Sequence, residues 1–266
     1  MATGDLTSVG NVKLWLAAGG GTSMGNTNDA LLGRLVSAAS STVKAYLSRP
    51  YIGSTLITER YDGPGGDTLM VRHGPVSSVV SIQYDGVTVT TQATGNPPTG
   101  GYLLDNSLHT VGRITLTDDT YSRGRLNVLV SYWAGHQVSG EAHTAAPAVQ
   151  PLRTWLTDVG VTYATSGVAL TLVTGAPAAG QYAVTAGNYQ FNASDVGAAI
   201  LITYGTIPYD LEQVVIEIVG EAYKRMARIG MSTQTLGGQE TTGYSALPLN
   251  NAAKMMLAPH RRVAQL

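Results

Sequence analysis

The apolar residues of this 266-residue chain change their spacing twice, and the two changes separate helical ends from a β-rich middle. From Asn28 they recur at Leu31, Leu32, Leu35, Val36, Ala39, Val43, Tyr46 and Leu47, a helical repeat that stops before Pro50. Near residue 55 the repeat shortens to two, with Leu56, Thr58 and Arg60 alternating with Ile57, Glu59 and Tyr61. After 208 the helical repeat returns at Leu211, Val214, Val215, Ile218, Val219, Ala222, Tyr223, Met226 and Ile229, where Asp210 and Gln213 stand as a capping-box-like pair. Burying such side chains is worth about 1.5–3 kcal/mol each, so this stripe needs a partner, either the sheet or the earlier helix. Two shorter helices are predicted. One runs from Thr7 to about Ala18, with Thr7 or Ser8 as cap and Val12, Trp15 and Leu16 as its apolar face; the other runs from Asn250 to about Val263.

In the middle, the turn Asp62-Gly63-Pro64-Gly65-Gly66 before 69–72 predicts one hairpin. Asp85-Gly86, between runs at 79–84 and 87–91, predicts a second. Apolar runs at 102–104, 114–116 and 126–133 extend this to an antiparallel sheet over 55–135. From 136 to 208 the composition shifts to Ala, Gly, Thr and Val, with Glu141, Arg153, Asp158 and Asp195 the only charged residues. A short helix or strand around 152–156, then runs at 168–173, 181–185, 188–191 and 199–204, predict a small β unit. Its last run, ILITYGTIPYDLEQ, is similar in pattern to the earlier NVLVSYWAGHQ, as an insertion would be. The expected architecture is α+β: N-terminal helices over 1–54, an antiparallel β part over 55–136 and an inserted, small sandwich-like β domain over 137–207. A long core helix over 208–230, packed with the sheet, and an extended C-terminal arm over 231–266 complete it.

Charged residues make up 12% of the chain, against about 25% in average domains, and the formal net charge is -1. Nothing global draws such a chain to nucleic acid or anionic lipid, and a charge-poor surface suits faces that neighbours later cover. Cysteine is absent, which excludes disulfides, thiolate metal sites and thiol catalysis. No apolar run approaches the roughly 18 residues of a membrane span. The N-terminal MATGDLTSVG lacks the order of a secretion signal, so synthesis in the cytoplasm is expected.

Five patterns in the sequence bear on chemistry. His73, His109, His136, His143 and His260 are scattered, and His136 and His143 with Glu141 fall in a segment that reads as a loop. Ser41 and Lys44 have the S-x-x-K spacing but lie in a helix without companion motifs. The glycine run at 19–21 lacks the G-K-[ST] ending of a phosphate loop. Asn192-Ala193-Ser194 reads as a turn, and Asp62 with Asp67 supplies too few oxygens for calcium. No catalytic, cofactor or metal residue is therefore expected, and the chain is read as not an enzyme.

Three stretches, LLGRLVSAASSTVKAYLSRP, TERYDGPGGDTLMVRHGPVSSVVSIQYDG and YDLEQVVIEIVGEAYKRMARIGMSTQTLGGQETTGYS, resemble in content and order the head-tail connector (adaptor) proteins of long-tailed bacteriophages. The resemblance covers roughly 28–92 and 208–266. It implies a virion structural protein of the neck, made in the host cytoplasm, one wedge of a homo-oligomeric ring of twelve that joins the portal vertex to the tail and lines the DNA channel. The partners it implies are the portal protein, a stopper or tail protein, and double-stranded DNA passing without sequence-specific contact; no membrane or cofactor is implied. The segment 136–208 departs from the minimal connector and is similar, in AGNYQFNASDVGAAILITY, to small β modules of phage structural proteins.

The polar tract 231–266 is expected to order on docking to the portal or a neighbour. Past Glu240 it carries no acid, and Lys254, Arg261 and Arg262, with Met256 and Leu257, are the expected contacts; a merely solvated basic end is the plain alternative. Two other readings stay open. One is another neck or tail ring component, a stopper or tail terminator. The other is a carbohydrate-binding module using Trp155, Tyr163, Tyr182, Tyr189 and Phe191, although aromatics in strand-like runs more often form core.

Overall fold

The computed structural model describes residues 4–18, 25–105, 112–226, 233–236, 240–243, 249 and 251–262. Expectations for the glycine run at 19–21, for His109, for Ile229 and for much of the tract 231–266 lie outside them. The fold is α+β. The chain divides into two compact units, one built from 1–48 and 208–261, the other from 49–207 with 262–266.

The helical unit contains α1 (Val9–Ala18), α2 (Asp29–Leu47), α3 (Tyr209–Met226) and α4 (Asn251–Leu257). α2 buries Leu32, Val36, Ala39, Val43 and Leu47, the stripe its spacing predicts, and ends at Ser48, whose left-handed φ of 55° turns the chain before Pro50. α3 buries Leu211, Val214, Val215 and Val219 and packs on α2, α1 and α4. Ser8 caps α1 by accepting the Asn11 N–H at 3.1 Å. Thr7, the other candidate cap, instead donates to the buried Glu212 of α3 at 3.1 Å, and Asn11 donates to the same carboxylate at 2.7 Å.

The capping box expected at Asp210 does not form. The helix already begins at Tyr209, the Glu212 N–H bonds the Pro208 carbonyl, and Gln213 donates one turn on to Glu217 at 3.0 Å. Part of the polar tract forms an antiparallel hairpin, pairing Thr233–Leu236 with Glu240–Gly243.

The β unit holds two apolar cores in succession. Around the first are β1 (Thr55–Gly63), β2 (Thr68–Val71), β3 (Val76–Tyr84), β4 (Val87–Val89), β5 (Tyr102–Asp105), β6 (Gly112–Leu116) and β7 (Gly124–Ala134), arranged as sheets β1-β7-β3-β4 and β2-β6-β5. Val128, Val130, Tyr132 and Ala134 alternate inward along β7, the central strand. The Asp85-Gly86 turn joins β3 to β4 with φ of 48° and 80°, as a two-residue hairpin requires.

The first expected hairpin is corrected: β1 pairs with β7 and β2 with β6, so the glycine-rich turn at 62–66 carries the chain from one sheet to the other. Turn chemistry alone does not separate a hairpin from such a crossing, because both need the same reversal.

Around the second core are β8 (Gln137–Thr144), β9 (Trp155–Tyr163), β10 (Thr171–Leu172), β11 (Gln181–Thr185), β12 (Asn188–Phe191) and β13 (Ala199–Thr206), in sheets β8-β13-β9 and β10-β11-β12. The segment 136–144, expected as a loop, is the strand β8, paired antiparallel to β13 from Gln137 to Thr144. Backbone bonds knit the two cores where the chain leaves one for the other: Ser54 N–H and Thr206 N–H both reach the His136 carbonyl at 3.0 Å. Gly135, at φ 112°, permits this approach, since a Cβ there would lie 2.3 Å from the Gly53 carbonyl oxygen.

Candidate functional site

The C-terminal residues expected as contacts fall on one described segment, 251–262, and the structure gives them different duties. Leu257 is fully buried, with Ala253, in the helical unit's own packing. It is thus committed to the subunit's fold rather than held out to a neighbour. Lys254 is exposed and Met256 half-buried. Arg261 is exposed with its guanidinium 5.4 Å above the Tyr46 ring of α2, and Arg262 is half-buried in the β unit. His260 Nε2 meets Asp210 Oδ2 at 2.5 Å, tying the segment to the first turn of α3. This end of the chain therefore has a seat on its own subunit, formed by α3 and α2.

The same unit leaves large apolar side chains in solvent. Met255 is 76% exposed and Leu14 71%, with Trp15, Tyr209 and Met226 also exposed. A groove of about 210 Å³ is lined by Trp15 and Leu16 of α1, Glu217, Ile218, Gly220, Glu221 and Lys224 of α3, and Ala253 of α4. None of these surface residues belongs to a chemical motif, so only their exposure reveals them. Val12 and Leu16, one turn apart on α1, do form its buried face, whereas Trp15 lies off it.

Within the β unit, carboxylates and tyrosines form bonded clusters. Asp158 accepts from Tyr182 at 2.6 Å and Tyr189 at 2.8 Å, while Trp155 Nε1 donates to the Tyr189 oxygen at 3.1 Å. Burial raises the Asp158 carboxyl above the usual range, with the two hydroxyls opposing the rise. Glu141 accepts from Tyr204 at 2.6 Å and the Leu152 N–H at 2.9 Å, and meets His143 Nε2 at 2.5 Å. Burial pushes Glu141 upward, but these bonds together hold it below its ordinary value.

In the first core, Glu59 accepts from Tyr61 at 2.6 Å and lies 3.2 Å from His73 Nε2. Tyr84 donates to Asp119 at 2.9 Å; burial and that bond push its hydroxyl up to about 12. Hydroxyls held in this way are donors that keep their protons, which suits structure better than proton transfer.

His143 and Glu141 do meet, as a folded-back segment would allow, but on β8 and with Tyr204 and the Leu152 amide as the further partners. Among the described residues no group of three or more metal-type ligands comes together. Lys44 of the S-x-x-K spacing is held by the Gly4 carbonyl at 2.5 Å. Of the aromatics that could stack on a sugar, Tyr182, Tyr189 and Phe191 are buried core, with the Tyr182 ring centroid 5.9 and 6.4 Å from those of Tyr189 and Phe191, whereas Trp155 and Tyr163 are half-buried against the same cluster. Buried rings offer no face to a sugar.

Neither a protein-family model nor a curated protein matches the sequence. Among solved structures, one described as the neck of an empty GTA particle, computed with C6 symmetry, is similar over 98% of this chain and 92% of that chain. The two share 15% identity, with a TM-score of 0.42.

Proposed function

We propose that this protein is a virion structural component, a head-tail connector that works as one copy in a ring of identical subunits. The observation that carries the reading is the apolar surface that the helical unit leaves open, with Met255 and Leu14 standing mostly in solvent. In a chain with only 12% charged residues, such a face suits burial against a neighbour, and one patch meeting a different patch by rotation closes a ring. The resemblance of the α2, β1–β4 and α3 segments to phage adaptors supports the same reading. It adds the expected partners: the portal on one side, a stopper or tail protein on the other, and duplex DNA in the lumen. Lys254 and Arg261 are the basic side chains of the terminal segment free enough in solvent to meet an acidic portal surface.

The test is the mass and symmetry of the full chain, alone and mixed with the portal protein of the same particle, by light scattering and negative-stain class averages. Rings, alone or on the portal, are expected. Leu14→Asp and Met255→Asp should abolish them while leaving far-UV circular dichroism unchanged, because neither side chain is part of the subunit's core. A monomer that ignores the portal would overturn the reading.

A further inference from the structure

Arg49, the first residue of the β unit, is 6% exposed. Its Nη1 donates to the Gly74 carbonyl at 2.8 Å. Its Nε and Nη2 are both out of contact with solvent and find no hydrogen-bond partner among the described residues. These two nitrogens form one edge of the guanidinium, the edge whose parallel N–H bonds fit the two oxygens of a carboxylate or a phosphate. Arg262, in the same unit, is close enough for its positive charge to act on Arg49.

A desolvated guanidinium beside a like charge is an arrangement that folding does not favour by itself. Buried charges are retained when they are paired, and leaving one unpaired costs several kcal/mol. Its hydrogen bond to Gly74 uses one of the five N–H donors and supplies no negative charge.

We propose that Arg49 forms a binding site for a two-oxygen oxyanion, a phosphate or a carboxylate group, held by its Nε–Nη2 edge, with Arg262 as a supporting positive charge. The anion satisfies both free donors and attracts both arginines, which offsets their mutual repulsion. Two sources share this chemistry, free anion from solution and a side-chain carboxylate brought by a second copy of the chain. The site stands on Arg49's unpaired edge and does not depend on the connector reading.

The experiment is thermal unfolding of the full chain, equilibrated overnight because the nitrogens do not touch solvent. It compares sodium phosphate or sodium acetate with sodium chloride at matched ionic strength, at several protein concentrations, for wild type, Arg49→Met, Arg49→Lys and Arg262→Ala. A saturable rise in Tm with phosphate or acetate, independent of protein concentration, identifies free anion. A rise with protein concentration in chloride alone identifies the carboxylate of a second copy. In either case Arg49→Met should lose the response, Arg49→Lys should keep a weakened one, and Arg262→Ala should weaken the apparent affinity about tenfold or more.

Arg49→Met should also be no less stable than wild type in dilute chloride at low protein concentration, since it removes an unpaired buried charge. The proposal is overturned if wild type responds to neither anion nor concentration. It is equally overturned if Arg49→Met responds as wild type does, or if that variant loses the same stability in every buffer, as a purely structural arginine would.

Discussion

Removing the Tyr189 hydroxyl should cost the β unit about 2.5–4 kcal/mol at neutral pH, counted from its two bonds. Tyr189 is fully buried, and its oxygen links the Trp155 indole N–H, at 3.1 Å, to Asp158 Oδ1, at 2.8 Å. In Tyr189→Phe the ring is kept, so no large cavity opens. The Asp158 oxygen loses a charge-assisted bond, worth about 1.5–3 kcal/mol, and the indole N–H loses an acceptor, worth about 1 kcal/mol.

The loss should also depend on pH. The folded-state pKa of Asp158 lies above its unfolded value, so its contribution to stability is complete below the ordinary Asp range and is lost as pH rises through the folded value. Phenylalanine removes one of the two hydroxyls that oppose this rise. The variant's penalty is therefore larger at pH 7.5 than below the ordinary Asp range, where Asp158 is protonated in either protein.

Urea unfolding of both proteins at the two pH values measures this, with a companion Tm drop of about 5–16 °C at neutral pH for a unit of this size. A penalty below about 1 kcal/mol, equal at both pH values, would refute the reasoning. It would mean that water replaces the hydroxyl without loss.

Three further outcomes follow from the geometry. Glu141→Gln should destabilise by about 2–3 kcal/mol at pH 7, because the carboxylate accepts from Tyr204, the Leu152 amide and His143. Its folded pKa is lowered, so the stability it supplies is present above the ordinary Glu value and is lost as pH falls through the folded one. The variant and wild type should converge in acid denaturation curves. Gly135→Ala should cost about 3 kcal/mol or more, read as a shift in urea midpoint, since a Cβ would meet the Gly53 carbonyl at 2.3 Å on a backbone at φ 112°. Leu257→Ala should cost about 2–5 kcal/mol and expose the 251–262 segment to limited proteolysis, because this residue is fully buried in the helical unit.

How far the sequence alone reached depended on how much pattern each element carries. The α2 and α3 stripes are long and strictly periodic, and they match the buried faces at Leu32, Val36, Val43 and Leu47, and at Leu211, Val215 and Val219. The Asp85-Gly86 hairpin was legible because its left-handed turn admits few residues. Partner choice was not: the reversal at 62–66 is equally good for a hairpin or a crossing between sheets, and only long-range pairing with β7 and β6 decides.

Strand β8 was unreadable for a different reason. QVSGEAHT has one large apolar residue, and its burial does not alternate, because a register shift opposite Ile202 and Tyr204 breaks the period. The exposure of Leu14 and Met255 and the unpaired edge of Arg49 have no sequence signal at all, since each is a statement about what does not cover or bond a side chain.

One compositional fact does acquire a physical meaning. The chain has 14 tyrosines and a single phenylalanine. Seven of those tyrosines, Tyr61, Tyr84, Tyr132, Tyr163, Tyr182, Tyr189 and Tyr204, donate to carboxylates of the β unit, namely Glu59, Asp119, Asp195, Asp158 and Glu141. A phenol fills a core as phenylalanine does and also carries a donor to its rim. Where apolar alternation is weak, that donor can do what the pattern cannot. A one-residue slip of β13 against β8 would turn Ile200 and Ile202 outward and would also part Tyr204 from Glu141, leaving a half-buried carboxylate without its tyrosine donor. Polar pairs thus penalise the wrong register as the apolar residues reward the right one. In a strand as poor in large apolar side chains as β8, the polar share of that discrimination is the larger.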